Sequence, residues 1–332
     1  MTWSYCDRII ESVVSDYVKA DKKLAVIGTM MVGRTTMVSQ YPRKIVRAPA
    51  IGEQVDYDTV TMRPMSLFES KESNGDVSVA ALFDGEPLPD SSSDISVYEL
   101  CRIMCRGGWP VMLYNGRQLG KNALDYLNLV GDLTIPKAIS KHISETASFS
   151  EVVRSTEHGM ARVAADQRLA QLKQMMTVEN IPSWNIGVRP GDRLLTRDQW
   201  CFVDPSIYCA LADLRPAQMD KFRKNVFPAF FNLVVRDIRV YTTQLRGELF
   251  HYCTRTKFDG GTVIQLEDGR WALMGICFDP ECIEDIASRM KIVMSADSDH
   301  GAPVFGMIVV PNGATMTRDD GIYVVPIGCL GC

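Results

Sequence analysis

The sequence lacks several features that mark specialised classes of protein. It has no apolar run near the ~18–20 residues of a membrane-spanning helix, so we expect no membrane partner. Its net charge of −4 gives no overall basic field for nucleic acid, although a local basic patch is compatible with that charge. The N-terminal residues lack a basic segment followed by an apolar block, and we therefore expect no signal peptide.

The cysteines also lack a pattern. The chain has ten of them, scattered without a compact framework. In a chain of this size without a signal peptide, reduced thiols are favoured over disulfides. We therefore place the protein in a reducing compartment, most simply the cytoplasm.

What is present is typical of a globular protein. The 332 residues are 46% apolar and 23% charged, and are long enough for two domains. Apolar density falls around residues 139–155. We place the boundary there, with an α/β domain over residues 1–140 and a helical, then β-rich, domain over residues 141–332. The predicted fold class is α+β.

A glycine loop follows the first short apolar run, Leu24–Ile27. Gly28 and Gly33 are separated by four residues, and Arg34, Thr35 and Thr36 come next. Glycines let such a loop wrap phosphate oxygens with backbone amides, a basic side chain neutralises phosphate, and a hydroxyl faces Mg²⁺. These five residues are our candidate binding site for ATP or GTP with Mg²⁺.

Further along, short apolar runs alternate with helical patterns. Such alternation favours a parallel sheet that is covered by helices on both faces. The predicted strands are 77–83, 110–114 and 133–135. The predicted helices are 97–106 and 122–130, and Ser96 and Glu99 form a capping pair at the start of the first helix. In the second half we predict a helix over 161–176 and a second over 218–245, which is kinked at Pro228. We also predict a hairpin of 262–266 with 271–277 and strands over 304–310 and 321–327.

Residues 22–136 resemble a known family, the type II thymidine kinases of cells and large DNA viruses. The likeness is carried by four pieces in the same order: Val26–Thr36, Ala81–Glu86, Tyr98–Tyr114 and Asn122–Leu129. The first of them is similar to the phosphate loop of that family. The resemblance implies a nucleotide-kinase-like P-loop domain.

The chain departs from that family at the positions that do the chemistry. The phosphate lysine falls on Arg34, the aspartate that supports magnesium on Phe83, and the general base on Asp84. The Cys-x-x-Cys zinc clip is missing after Ile135. Since phosphoryl transfer needs metal, charge stabilisation and positioning together, the resemblance implies a decayed site with Asp84 as a poor base. Asp84 and Glu86 are also compatible with a solvated turn before Pro87.

Two pairs of cysteines in the second half could supply four thiolates to one zinc ion. Cys277 and Cys282 have C-x₄-C spacing, and Cys329 and Cys332 have C-x₂-C spacing. Neither arrangement is a recognised zinc knuckle, so we do not expect zinc. Separately, residues 297–305 are similar to the nucleophile loop of chymotrypsin-like proteases, but the glycine spacing differs and we interpret them as a polar loop.

Arg236, Arg239 and Arg246 form a modest basic face on a predicted helix. Such a face contacts RNA in some proteins and is a solvated helix surface in others. Three functions therefore stay open. The favoured one is a non-catalytic or weakly active structural or assembly component with protein partners or self-assembly, located in the cytoplasm or, for a viral protein, in the virion. The alternatives are a nucleotide-binding P-loop enzyme and an RNA-binding protein.

Overall fold

The computed structural model describes residues 5–111, 121–157, 159–184, 197–221, 226–253, 259–295 and 301–332. The chain is a mixed α/β protein with a small parallel sheet near the N-terminus and a larger, β-rich sheet near the C-terminus. No helix in these ranges is long and apolar enough to span a bilayer.

The N-terminal sheet has three parallel strands in the order β2-β1-β3. The central strand β1 (Leu24–Ile27) is the apolar run predicted from the sequence, and it pairs with β2 (Val46–Arg47) and β3 (Asp58–Thr61). Helix α1 (Glu11–Lys19) precedes β1, and the short helix α2 (Arg34–Val38) follows the glycine loop. The glycine loop therefore lies at a strand-to-helix junction.

Two of the later predicted strands are wrong. Only Val77–Ser78 is extended (β4), and Val79–Phe83 is helix α3, which begins where the Ser78 hydroxyl accepts a hydrogen bond from the Ala81 amide. Thr134–Ser140 is helix α6, whose first turn tolerates Pro136. Short apolar runs fit a buried strand and a buried helix equally well, so periodicity could not separate them.

The third predicted strand falls partly outside the described residues. Pro110 and Val111 are helical, and residues 112–114 are not among those described. The strand-and-helix alternation that suggested a larger parallel sheet after β1 is therefore not present in the described part of residues 77–135.

The predicted helices are mostly confirmed. Helix α4 (Val97–Arg106) begins at Ser96, whose hydroxyl accepts from the Glu99 amide, and ends at Gly107. Helices α5 (Lys121–Val130) and α8 (Arg162–Gln174) lie where the sequence places them. Between them lies helix α7 (Phe149–Arg154).

The middle of the chain forms a small helical layer. The short strand β5 (Ser92–Ser93) precedes α4. After α8 come the antiparallel pair β6 (Val178–Ile181) and β7 (Gln199–Phe202). Helices α9 (Pro205–Leu211), α10 (Pro216–Lys221) and α11 (Phe227–Tyr241) follow. The predicted kink at Pro228 is wrong, because this proline lies in the first turn of α11, where its missing N–H costs nothing.

The C-terminal sheet has six strands in the order β13-β14-β11-β10-β9-β8. These are β8 (Glu248–Cys253), β9 (Asp259–Gln265), β10 (Trp271–Ile276), β11 (Gly306–Val310), β13 (Met316–Thr317) and β14 (Tyr323–Pro326). The predicted hairpin of β9 and β10 is confirmed. Helix α12 (Ile283–Met294) packs closely on the sheet, since a Cβ on Gly275 would lie 2.4 Å from Ile286 Cγ2.

The main hydrophobic core runs from Ile9 to Leu330 and includes residues on both sides of residue 140. The last strands also return to the first half: β12 (Gly313–Ala314) pairs with β5, and β15 (Leu330–Gly331) pairs with β4. A second, smaller cluster lies under α12 around Trp271. The domain boundary stays a prediction, but the two segments it separates share this core.

Candidate functional site

The backbone of the glycine loop is shaped by its two glycines. Gly33 has φ +91° and caps α2, and Gly28 has φ +154° with Met62 O only 2.2 Å from where a Cβ would lie. Among the described residues, no amide from Gly28 to Thr36 donates to another backbone carbonyl, apart from bonds within α2. The loop therefore keeps the free amides that a phosphate loop needs.

Two side chains of the loop already have hydrogen-bond partners within the protein. The Arg34 guanidinium donates from Nη1 to the Pro49 carbonyl at 3.1 Å, and burial lowers the pKa of Arg34. Thr29 Oγ1 shares a 2.7 Å hydrogen bond with the hydroxyl of buried Tyr126. Thr35 and Thr36 are exposed. The binding role predicted for Gly28, Gly33, Arg34, Thr35 and Thr36 stays a prediction, and the guanidinium needed for it already has an acceptor.

A cavity of about 350 Å³ lies beside the loop, but its chemistry is apolar. Its walls include Met31, Met62 and Met65. Arg8, its one basic side chain among the described residues, is buried and bonded to Glu69 and to the Val32 carbonyl. Such a lining does not match a polyphosphate.

Asp84, the predicted poor base, lies against the C-terminal sheet. Phe83 is buried with its ring 5.0 Å from that of Phe305, and Asp84 Oδ1 accepts from Arg270 Nη1 at 3.1 Å. Because 79–83 is a helix, Asp84 is its C-cap and does not lie at the carboxyl edge of a parallel strand. Its catalytic role stays a prediction, but the strand over 77–83 that we predicted before it is a helix from Val79 onward.

The four candidate zinc ligands contact different neighbours. The Cys277 thiol donates to the Asp279 carbonyl at 2.8 Å, whereas Cys329 lies 3.5 Å from the Ser91 hydroxyl. Within the described ranges, no group of three or more His, Cys, Asp or Glu side chains is arranged to hold a metal ion. The sequence 297–305, with the similarity to a nucleophile loop, lies partly outside the described residues, since 296–300 are not among them.

The predicted basic face does not exist as a surface. Arg236 is buried, with Nη1 3.0 Å from Asp204 and Nη2 2.7 Å from Asp237, so it cannot reach a nucleic acid while the protein is folded. Arg239 and Arg63 pair with Glu179. Burial raises the pKa of Glu179, but the two guanidinium groups outweigh this effect and lower that pKa to about 2.

Arg246 is exposed and pairs with Glu267. Only one of the three predicted arginines is thus on the surface. The apolar residues around Arg236 and Arg239 drew helix α11 into the core, where ion pairing offsets the cost of burying both charges.

A cavity of about 440 Å³ in the described part of the chain was not singled out from the sequence. We call it the C-terminal cavity. It is enclosed by strands β8 to β10, the first turns of α11 and α12, and the turn between β10 and α12. Its lining includes Ser144, Gln199, Phe227, Phe231, His251, Asp259, Met274, Cys277, Phe278, Cys282, Asp285, Ile286 and Arg289.

Three lining side chains carry buried polar atoms with no hydrogen-bond partner among the described residues: Gln199 Oε1, His251 Nδ1 and Arg289 Nε. Gln199 is 4% exposed and His251 is 2% exposed. Buried polar groups are normally satisfied, and leaving one unpaired costs about 1–3 kcal/mol. Three such atoms around one cavity therefore mark it as a place where the described residues leave polar groups to be satisfied.

The remaining groups of these side chains are held in place. Gln199 Nε2 donates to the Ser144 carbonyl at 2.7 Å. Arg289 donates from Nη1 to the Asp259 carbonyl at 3.1 Å and pairs through Nη2 with Asp285 at 2.9 Å. Burial lowers the pKa of His251, so its imidazole is neutral at pH 7. The cavity thus offers one fixed acceptor, one fixed donor and one imidazole nitrogen.

No family model, curated protein or solved structure matches this chain. The C-terminal cavity must therefore be interpreted from its geometry. Its polar residues come from segments as far apart as 144 and 289 and share no motif, and it could therefore not be found from the sequence.

Proposed function

We propose that this chain is a non-catalytic binding protein whose functional site is the C-terminal cavity, and that the glycine loop mainly serves the fold. The observation that carries this proposal is the set of unpartnered buried atoms on Gln199, His251 and Arg289. A cavity of about 440 Å³ with aromatic walls and a few fixed polar groups has the size and character of a small-molecule site.

The lining indicates what kind of ligand fits. Phe227, Phe231 and Phe278 supply aromatic surface. Gln199 Oε1 accepts a hydrogen bond and Arg289 Nε donates one. A planar apolar group that carries both a donor and an acceptor, such as an aromatic amide, has the polar groups that pair with these two side chains.

Thermal unfolding with a series of small aromatic amides tests the proposal. Benzamide, nicotinamide and indole-3-carboxamide carry the donor and acceptor, and toluene carries neither. A ligand at 100 times its Kd adds about 2.7 kcal/mol to the free energy of unfolding. We expect stabilisation by at least one amide, none by toluene, and loss of the effect in Gln199→Leu.

Thr29→Val, at a buried hydroxyl far from the lining residues, is the matched control and should keep the effect. Stabilisation that is equal in Gln199→Leu and in the wild type would place the binding site elsewhere. The absence of any shift, confirmed by ligand-observed NMR at millimolar concentration, would reject this class of ligand.

The glycine loop supports a second candidate function, the binding of ATP or GTP with Mg²⁺ in a P-loop nucleotide-kinase-like fold. The observation in its favour is the strand-to-helix junction with amides that donate to no backbone carbonyl. Nucleotide binding would require Arg34 to exchange the Pro49 carbonyl for phosphate.

The same unfolding assay tests this alternative with ATP, GTP and thymidine in the presence of Mg²⁺. Stabilisation by a nucleotide that disappears in Arg34→Ala would favour the loop over the cavity. An assembly role with protein partners, in a virion or in the cytoplasm, stays a prediction for which no surface is assigned.

A further inference from the structure

The turn that links strand β10 to helix α12 holds two cysteines close together. Cys277 follows the last residue of β10, and a single 3₁₀ turn, Pro280–Cys282, brings the chain to the start of α12. Both cysteines line the C-terminal cavity.

One carbonyl oxygen links the two residues. The Cys277 thiol donates to the Asp279 carbonyl at 2.8 Å, and the Cys282 amide donates to the same oxygen at 2.9 Å. Because both atoms lie within 2.9 Å of the same oxygen, Cys277 Sγ and the Cys282 amide nitrogen are within about 6 Å of each other, and a disulfide requires this kind of proximity.

The two sulfurs differ in their access to solvent. Cys282 is exposed, whereas Cys277 is 1% exposed. An oxidant in solution therefore reaches Cys282 first, and Cys277 is the thiol that lies behind it. This arrangement of one accessible and one resolving thiol is typical of redox-sensitive cysteines.

We propose that Cys277 and Cys282 are a redox-active dithiol that closes to a reversible disulfide at the edge of the C-terminal cavity. The inference goes beyond ligand binding, and its test does not require the ligand.

The oxidant that we assign is a peroxide. The Cys282 sulfur attacks one oxygen of H₂O₂, so that an S–O bond forms, the O–O bond breaks and water leaves, which gives a sulfenic acid. The Cys277 sulfur then attacks the Cys282 sulfur, an S–S bond forms, the S–O bond breaks and a second water leaves. The two thiols lose two electrons, which reduce H₂O₂ to water, and dithiothreitol reverses the reaction.

The chain contains a second thiol pair that serves as an internal control. Cys105 and Cys209 are neighbours, since Cys209 lowers the pKa of Cys105 and Cys105 raises that of Cys209, and Cys105 Sγ donates to Met219 Sδ at 3.5 Å. Cys105 is 3% exposed and Cys209 is 2% exposed. Because no oxidant reaches either sulfur in the folded protein, this pair should stay reduced while Cys277 and Cys282 react.

The second step should depend on pH. Burial raises the pKa of Cys277 to about 11, and the neighbouring Cys282 makes a smaller contribution in the same direction. Since the thiolate is the attacking form, the rate of disulfide closure should rise about tenfold per pH unit between pH 7 and 9.

The experiment is mass spectrometry of the folded full chain after treatment with H₂O₂ and alkylation of the remaining thiols. Trypsin releases both cysteines in one peptide, residues 271–289. We expect this peptide to lose two hydrogens and to resist alkylation, and to regain both thiols with dithiothreitol. Cys277→Ala should leave Cys282 as a sulfenic or sulfinic acid, and Cys253→Ser should behave as the wild type.

Two results would overturn the proposal. One is over-oxidation of Cys282 in the wild type while Cys277 is still alkylated, because Cys277 then does not resolve the sulfenic acid. The other is oxidation of Cys105 with Cys209 before Cys277 with Cys282, because solvent access would then not select the pair. Both are measured on the wild-type chain and do not depend on the folding of a variant.

Discussion

The glycine loop and the C-terminal cavity both contain buried polar side chains, and they differ in whether those side chains have partners. In the loop, Thr29 and Arg34 bond to Tyr126 and to the Pro49 carbonyl. In the cavity, Gln199 and His251 keep atoms without a partner among the described residues. The buried side chains of the motif that is visible in the sequence thus have partners within the fold, whereas those of the region without a motif have atoms that lack them.

The strongest way to test the structural role of the loop is Gly28→Ala. The new Cβ would lie 2.2 Å from Met62 O at φ +154°, so strand β3 or the loop must move, and we expect a loss of about 3 kcal/mol or more in the free energy of unfolding. Gly85→Ala is the control, since Gly85 has φ +83° with open space around it and should cost about 1 kcal/mol. Urea unfolding measures both, and equal losses would mean that the loop is not packed as described.

A pair of buried substitutions tests the difference between the glycine loop and the C-terminal cavity. Thr29→Val removes a paired hydroxyl and leaves Tyr126 with one partner fewer, so we expect a loss of about 1–2 kcal/mol. His251→Phe removes an unpaired nitrogen and should be neutral or stabilising. Urea unfolding of the two variants should give changes of opposite sign or clearly different size, and a larger loss for His251→Phe would contradict the difference between the two regions.

A pH series sharpens the assignment of His251. Burial lowers the pKa of His251 below its unfolded value of about 6.5, so the unfolded state binds the proton more readily. This contribution to stability is complete above pH 6.5 and is lost as the pH falls toward the folded pKa. Between pH 7.5 and 5.5, His251→Phe should therefore lose less stability than the wild type, and parallel curves would exclude His251 as the cause.

The smallest effect is expected for Arg34→Met. Its one hydrogen bond to the Pro49 carbonyl is replaced by apolar contact on a half-buried stem, which should change the free energy of unfolding by about 1 kcal/mol or less. Thermal unfolding measures it. A much larger loss would mean that Arg34 holds the loop together, as Gly28 does.

The sequence was informative where a local rule decides the structure. Strand β1, the Ser96 cap of α4 and the Asp268-Gly269 turn between β9 and β10 were all predicted, because a buried run, a capping hydroxyl and a turn dipeptide act over a few residues. The sequence was misleading where burial in the folded protein decides the conformation of a segment or the location of a side chain. Residues 79–83 are helical, not extended, and Arg236 is an internal ion-pair partner, not a surface cation.

By itself, the sequence determined a mixed α/β chain and a glycine loop after the first buried strand. Only the tertiary structure decided that Arg34 turns to Pro49, that Asp84 pairs with Arg270, and that Gln199 and His251 share a cavity. The physical reason is that hydrogen-bond satisfaction is a property of neighbours in space. Residues 52 positions apart in the chain, such as Gln199 and His251, meet there only after the β-sheet and helices have packed.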